Sequence, residues 1–295
     1  MPDPEQRAWR DLTHTRWELT RSKVTLYNHI EILLERAQIK LSTVISDVLG
    51  TSGRRILQAL AAGVSDPVAL AALADRRLRA SGEQLQEALA GQLREDQRFI
   101  LRMYLQQLRL LDRQLKALDG QLARALKGQQ EAIQRLCEIP GASIEAAHQI
   151  IAEMGPEAQA FPSAAQAASW VGVCPGHHES AGQSSSQASP FGNRAMRRII
   201  TQIDWGAVRT KDSFFQMLFK RWTARLGVQK ALWAVAHRLV RLIWKILHEK
   251  VRYLERGPLH LDPLARERRK RSLLRQLKAL GYAATLAPLP STNPA

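Results

Sequence analysis

The sequence VQKALWAVAHRLVRLIWKILH, residues 228–248, decides the fold of the C-terminal part of the chain. Its apolar residues recur at helical spacing and neither Gly nor Pro interrupts it, so the pattern predicts a long helix with an apolar face. His237, Arg238, Arg241 and Lys245 break the apolar run, and no run of 18 apolar residues occurs in the chain, so we expect no membrane span. We expect this helix to form the core of a basic domain.

The positive charge of the chain is confined to the region around this helix. The 295 residues carry a formal net charge of +16, from 43 Lys and Arg against 27 Asp and Glu. Residues 191–278 hold 22 of these cations and six of the acids, so the rest of the chain is neutral. A neutral scaffold joined to a basic module indicates a polyanionic partner, nucleic acid before membrane. The N-terminus has no signal-peptide pattern, and we expect a cytoplasmic, nucleoid-associated protein.

Residues 1–128 are predicted to form a helical linker and scaffold, with long helices over residues 9–48 and 84–127. Leucines at heptad spacing favour a coiled coil or a helical hairpin in the second of these helices, and the alternative is a helix packed within its own domain. A coiled coil at residues 101–125 would make the protein a homo-oligomer. The two heptad positions hold Leu101, Leu108, Leu115 and Leu122, and Tyr104, Leu111, Leu118 and Ala125.

Residues 129–257 are predicted to form a second, basic helical domain, so the fold class is mainly α. The stretch LCEIPGASIEAAHQIIAEM, residues 136–154, pairs two helices across a turn at Pro140 and Gly141. This pattern is typical of a helix-hairpin-helix, in which backbone amides at the turn meet a phosphate; the alternative is a plain connector. A basic helix is expected within residues 258–282, and a disordered, Pro-rich tail at 283–295.

The stretch GVCPGHHESAGQSSSQASPF, residues 172–191, has neither a helical nor a strand period. A loop of this length inside a compact domain is usually functional or disordered. Cys174 and His177–His178 suggest a metal site, but no second Cys or His pair has ligand spacing, so we expect no zinc. Adjacent histidines in a loop are more often solvated than catalytic. The tryptophans of the following helices are expected in the core rather than as base-stacking platforms.

Several motifs in the same order resemble the C-terminal transposase domain of the insertion-sequence 110 family, the DEDD-type, bridge-RNA-guided recombinases. They are IPGAS (139–143), FPSAAQAASWVGVCPG (161–176), HHESAG (177–182), FGNRAMRR (191–198) and LGVQKALWAVAHRL (226–239). Residues 7–20 and 39–60 resemble the helical linker of those proteins. The resemblance implies DNA transposition with DNA and a guide RNA as partners. It also implies a serine nucleophile, which matches Ser180 in Glu179-Ser180-Ala181-Gly182, and a separate domain whose carboxylates bind magnesium.

Two departures from the family pattern affect this expectation. The chain begins at the linker, so we expect an N-terminally truncated protein or a start codon assigned too late, with magnesium bound only by the missing domain. Residues 183–189, after Ser180, carry no charge where the family is rich in Lys and Arg. The alternative function is therefore a non-catalytic, oligomerising, nucleic-acid-binding remnant.

The candidate site residues follow from these motifs. Ser180 is the candidate nucleophile, and the alternative is one polar residue in a Ser-rich loop. The candidate phosphate contacts are Gly141 at the turn, the cations that follow the loop, and a basic run near the C-terminus whose alternative is a solvated face. These cations are Arg194, Arg197, Arg198, Arg268, Arg269, Lys270 and Arg271.

Overall fold

The computed structural model describes residues 3–75, 78–174, 178–180, 183–186, 189, 191–255, 257 and 263–283. For residues 178–180, 183–186, 263–266, 268 and 269 only the backbone is described. The described residues form thirteen α-helices and one short β-hairpin, which confirms the mainly α fold class. Among them, no helix combines the length and the apolar character that a membrane span requires.

The chain divides into two compact units, residues 1–128 and 129–295. Unit 1 has a core of aliphatic side chains from all of its longer helices, including Ile30, Ile56 and Leu101, which are fully buried. Its helices are α1 (Pro4–Arg36), α2 (Leu41–Val44), α3 (Thr51–Ala62), α4 (Pro67–Ala71), α5 (Gly82–Ala88) and α6 (Glu95–Ala125).

Both long helices predicted for this unit are interrupted. The first ends at Arg36, because Gln38 has a φ of +61° and turns the chain so that Ile39 becomes buried. The second is split between α5 and α6 around Gly91. A Cβ at Gly91 would lie 2.1 Å from the carbonyl oxygen of Ala37, so the two chain breaks pack backbone against backbone. The interruptions of the two helices depend on this tertiary contact, so the local sequence pattern does not predict them.

Helices α1 and α6 pack antiparallel along most of their length. Arg16 contacts Asp119 at 2.5 Å, and Lys23 contacts Asp112 at 2.8 Å, so residue numbers rise along one helix as they fall along the other. Asp112 also accepts from Arg54 of α3 at 2.6 Å. Partial burial raises the pKa of Asp112, but the hydrogen bonds from Arg54 and Lys23 outweigh burial and lower it overall.

The heptad positions of α6 are largely occupied inside unit 1. Leu101, Leu108 and Leu111 are at most 6% exposed and pack in the same core as Ile30 and Leu34 of α1. The heptad leucines in the first half of residues 101–125 are therefore packed within their own domain, as the alternative interpretation predicts. Self-association through residues 101–125 stays a prediction. The heptad positions that retain exposed surface for it are half-buried: Tyr104, Leu115, Leu118 and Ala125.

Unit 2 is built around the helix predicted for residues 228–248. This helix packs against several others of the unit, and its buried residues include Leu239 and Ile243. The indole Nε1 of the buried Trp244 donates to the carbonyl oxygen of Phe161 at 2.9 Å. The elements of unit 2 are α7 (Gln130–Cys137), α8 (Ile144–Met154), α9 (Ala164–Val171), β1 (His178–Ser180), β2 (Gln183–Ser186), α10 (Arg194–Arg209), α11 (Phe214–Leu226), α12 (Val228–His248) and α13 (Pro263–Ala279).

The serine-rich stretch contains a hairpin where the sequence predicts no regular structure. Strands β1 and β2 pair antiparallel, with Ser180 opposite Gln183 and Glu179 opposite Ser184. The strands are three and four residues long and carry no apolar alternation, which is the signal that identifies a strand in a sequence. The predicted basic C-terminal helix is present as α13, and the predicted disorder of residues 284–295 falls outside the described residues.

Candidate nucleic-acid interface

Helices α10, α11 and α12 pack against one another and carry almost only positive charge. They hold four, three and four Lys or Arg residues respectively, and their single acid is Asp204. Such a distribution is typical of a surface that neutralises phosphates. The cations are Arg194, Arg197, Arg198 and Arg209 of α10, Lys220, Arg221 and Arg225 of α11, and Lys230, Arg238, Arg241 and Lys245 of α12.

Asp204 does not offset this charge. Its side chain is fully buried, and neither carboxyl oxygen has a hydrogen-bond partner among the described residues. Burial raises the pKa of Asp204 to about 8, because the carboxylate loses its hydration and gains no counterion. The group is therefore mostly protonated at neutral pH, and the three helices contribute no negative charge.

The FGNR motif at residues 191–194 fixes the start of α10. A Cβ at Gly192 would lie 2.1 Å from the carbonyl oxygen of Val171, so only Gly allows the segment to pack on the end of α9. Asn193 caps α10 by accepting from the Met196 amide at 2.8 Å, and its Nδ2 donates to Glu153 at 3.0 Å. The buried Glu153 lies at the C-terminal end of α8 between apolar residues, so no local sequence pattern identifies its role.

The three predicted phosphate contacts of α10 have different surroundings. Arg194 is exposed. Arg198 is half-buried and donates from Nη2 to Gln149 Oε1 at 3.0 Å, and burial lowers its pKa. The Arg197 guanidinium lies 4.8 Å from the ring centroid of Trp233, a cation–π contact. Of the three, Arg194 has the surface exposure that a phosphate contact requires.

Trp233 connects α12 to the end of the serine-rich stretch. Its Nε1 donates to Ser189 Oγ at 2.5 Å, while Arg197 of α10 stacks on the ring. The expected core position is confirmed for Trp244, which is buried, whereas Trp205, Trp222 and Trp233 are half-buried. Half-exposed rings beside arginines can offer apolar surface to a ligand as well as to the core.

The backbone of Ser180 ends strand β1, where it pairs with Gln183 nearest to the hairpin connection. Its side chain, those of His178 and Glu179, and the whole of His177 lie outside the described residues. The nucleophile assignment therefore stays a prediction. Cys174, just before the hairpin, is half-buried, and burial raises the pKa of its thiol despite the opposing field of Arg241.

The two helices predicted on either side of the Gly141 turn are present as α7 and α8, and the phosphate-binding helix-hairpin-helix stays a prediction. Gly141 has a φ of +83°, and a Cβ there would lie 2.6 Å from the carbonyl oxygen of Ile203 and 2.7 Å from the amide nitrogen of Ala207. The turn thus packs directly on the backbone of α10, where Gly206 leaves room for it. Packing alone explains this glycine, and its contact with phosphate stays a prediction.

The basic run of α13 is described in part. Lys270 lies 3.6 Å from Glu267, and Arg271 is exposed, whereas the side chains of Arg268 and Arg269 lie outside the described residues. An exposed ion pair of this kind contributes little to stability and leaves the lysine accessible.

The described residues do not fit the magnesium site that the resemblance implies. Nowhere in the part of the chain that the structure describes do three His, Cys, Asp or Glu side chains gather as metal ligands. Asp204 is the most deeply buried carboxyl of the described residues, and it has no described acid beside it to share a cation, since burial alone accounts for its raised pKa.

Residues 133–218, from α7 into α11, match the model of the family described as Transposase IS116/IS110/IS902 family. The matched segment is less than a third of the chain and contains the turn at Gly141, the hairpin and α10. No curated protein matches the chain. The match supports a general role in DNA transposition, with DNA as a partner.

Proposed function

We propose that this protein binds DNA on the cationic faces of α10–α12 and acts as a transposase with Ser180 as its nucleophile. The observation that supports this most directly is the family match over residues 133–218, which contains Ser180 and the start of the cationic surface. The surface agrees with the match, because α10–α12 carry eleven cations and one neutral, buried carboxyl.

In the proposed reaction the Ser180 hydroxyl attacks the phosphorus of a DNA phosphodiester. A bond forms between Oγ and phosphorus, the bond from phosphorus to one deoxyribose oxygen breaks, and the DNA is held as a phosphoserine ester. A base takes the hydroxyl proton, and the leaving oxygen gains a proton. Cations beside the phosphate stabilise the charge that develops on its oxygens, and the exposed Arg194 begins the helix that follows the hairpin.

We further propose that carboxylates outside the described residues bind the magnesium that this reaction uses. We also propose that a guide RNA directs the reaction to its DNA site. Magnesium would neutralise the phosphate and promote proton removal from the serine. The described residues of this chain would then bind and position the DNA and present the hairpin.

A covalent-adduct assay tests the nucleophile. The full chain is incubated with magnesium, donor DNA labelled at either end of the strand, and the carboxylate domain and guide RNA of a related full-length transposase. We expect a labelled adduct that survives denaturing electrophoresis and is absent from Ser180→Ala. Ser184→Ala, a serine on the neighbouring strand, is the matched control and should retain the adduct.

Two other results would contradict parts of this proposal. An adduct that persists in Ser180→Ala would assign the nucleophile elsewhere, with Ser184, Ser185 and Ser186 as the next candidates. An adduct formed by this chain alone would show that the metal ligands lie within it.

A non-catalytic nucleic-acid-binding protein is the second candidate function. Residues 183–189 carry no charge beside the proposed nucleophile, and the described residues hold no metal cluster. DNA binding without an adduct under any of the conditions above would favour this second function.

A further inference from the structure

A pocket of about 470 Å³ opens between three elements of unit 2, away from the FGNR motif. One wall is the start of α11, the second is the outward face of α12, and the third is the segment 251–255 that follows α12. Its volume falls in the range of sites for small organic ligands. The lining residues are Phe214, Phe215, Arg238, Arg241, Leu242, Lys245, Arg252, Tyr253 and Leu254.

The floor of the pocket is aromatic. Phe215 is 1% exposed, and its ring stacks on Tyr253 with 6.2 Å between centroids and 15° between planes. Phe214 meets Phe215 edge to face at 5.3 Å and is half-exposed at the mouth. Leu254 adds an apolar side chain that is 69% exposed. A planar apolar group would bury this surface.

The wall formed by residues 251–255 is held in place by two acids that accept hydrogen bonds from it and from α11. Glu138 accepts from Arg252 Nε at 2.7 Å and from the Tyr253 amide at 3.1 Å. Glu255 accepts from the Tyr253 hydroxyl at 2.6 Å and from the Phe214 amide at 3.0 Å. The walls are therefore fixed before any ligand binds, and both carboxylates are already engaged.

The rim of the pocket is cationic. Arg238, Arg241 and Lys245 lie at i, i+3 and i+7 on one face of α12 and span roughly 10 Å along it. Neither arginine has an ion-pair partner within the described ranges, whereas Lys245 lies 4.0 Å from Glu249. Two uncompensated guanidinium groups beside an aromatic floor indicate a ligand with a ring and an anion close together.

We propose that this pocket holds one unpaired nucleotide, with its base against Phe214 and Tyr253 and its phosphate on Arg238 and Arg241. The proposal rests on the proposed nucleic-acid-binding function and names the form of the nucleic acid. A duplex offers phosphates to the rim but no base faces to the floor, because its bases are stacked on each other. An extruded or single-stranded base offers both.

Fluorescence anisotropy with the full chain tests this proposal. The probes are a perfect DNA duplex and the same duplex with one bulged 2-aminopurine, and a matching RNA pair. We expect the bulged form to bind about fivefold or more tightly and its 2-aminopurine fluorescence to be quenched by stacking. A preference in either the DNA or the RNA pair supports the pocket, and the larger one identifies the source of the nucleotide.

Three variants assign the effect to the pocket. Phe214→Ala should lose both the preference and the quenching while it still binds the perfect duplex. Phe214→Trp should restore them, which separates loss of stacking from misfolding. Phe99→Ala removes a phenylalanine that is 57% exposed in unit 1 and should behave as the unchanged protein.

Equal affinity for bulged and perfect duplexes, without quenching of 2-aminopurine, would overturn the proposed nucleotide pocket and leave the proposed DNA binding intact. Displacement of the bulged probe by polyglutamate as efficiently as by oligo-dT would also overturn it, because an acidic peptide would then be the better occupant. Failure to bind any of the four probes would overturn the proposed function itself.

Discussion

At the scale of single residues, Gly141 and Gly206 form a contact that no other residue type allows. The Cα of Gly141 lies 2.6 Å from the position of a Cβ at Gly206, and a Cβ at Gly141 would meet the backbone of α10. The Gly141 turn also has a positive φ. These two glycines set the distance between the α7–α8 turn and the helix that begins the cationic surface.

We predict that Gly141→Ala lowers the free energy of unfolding by about 1–3 kcal/mol, because the methyl group strains the turn and forces α10 away. Gly120→Ala is the control: Gly120 has open space around its Cβ position within α6, so alanine should stabilise by about 0.5–1 kcal/mol. Chemical denaturation followed by circular dichroism measures both. If Gly141→Ala kept its stability and lost DNA affinity, the turn would be a phosphate site instead.

Asp204 gives a prediction for the pH dependence of stability. Its pKa is about 8 in the folded state, against 3.8 as the ordinary value. The folded state therefore binds more protons between these values, and the free energy of unfolding falls as pH rises from about 4 to 8. Between pH 5 and 8 the loss from this group is on the order of 4 kcal/mol. Asp204→Asn, which cannot ionise, should remove that loss.

Urea unfolding of both proteins at pH 5, 6.5 and 8 measures the difference, since the other titrating groups contribute equally and cancel. Parallel pH profiles for the two proteins would show that Asp204 has a partner that keeps it ionised.

The sequence identifies candidate cations more readily than it identifies their surroundings. Arg194, Arg197 and Arg198 lie within five residues of one another, yet one is exposed, one stacks on Trp233 and one donates to Gln149. The partners lie 36 and 49 residues away, and no local pattern predicts them. Glu138 and Glu255 were missed for the same reason, because their roles depend on segments that meet only in the folded chain.

At the scale of helices and strands, local signals predicted most of unit 2. The limits of α12 coincide with residues 228–248, and Ser163, Asn193 and Ser213 cap the helices that follow them. Local signals were weaker in unit 1, where the chain breaks near Gly91 depend on a contact with α1. The hairpin was missed because its strands are short and polar and show no apolar alternation in the sequence.

Helix α6 allows a test of whether its heptad leucines join two helices of one chain or two chains. Leu108 is 1% exposed in the core of unit 1, so Leu108→Ala should cost about 2–5 kcal/mol at every protein concentration. Leu110→Ala, at a position that is 46% exposed, should change stability by less than about 0.5 kcal/mol. Thermal unfolding over a hundredfold range of concentration, with sedimentation, measures both. A loss of stability that appears only at high protein concentration would support the intermolecular coiled coil instead.

At the scale of the whole molecule, the excess positive charge lies in the later part of unit 2. Unit 1 and the first part of unit 2 balance their charges, and the excess of sixteen lies in residues 191–278. Composition alone revealed this asymmetry. The structure adds that many of the excess cations lie on exposed positions of α10–α12 and that the one acid of those helices is buried. Binding to a polyanion should therefore depend on where a cation is removed, since long-range attraction is screened by salt.

We predict that neutralising Lys220, Arg221 and Arg225 of α11 to Gln weakens duplex binding and makes it less sensitive to salt. Each phosphate contact contributes a slope of about −0.9 to log K against log salt concentration, so losing three contacts should reduce the slope by up to about 3. Neutralising Arg109, Arg113 and Lys116, which are exposed on α6, changes the net charge of the chain by the same amount and should leave the slope unchanged. Anisotropy titrations of the full chain from 50 to 200 mM salt measure all three proteins. If the two triple variants lose the same affinity, net charge alone attracts DNA, and α11 does not contact the phosphates.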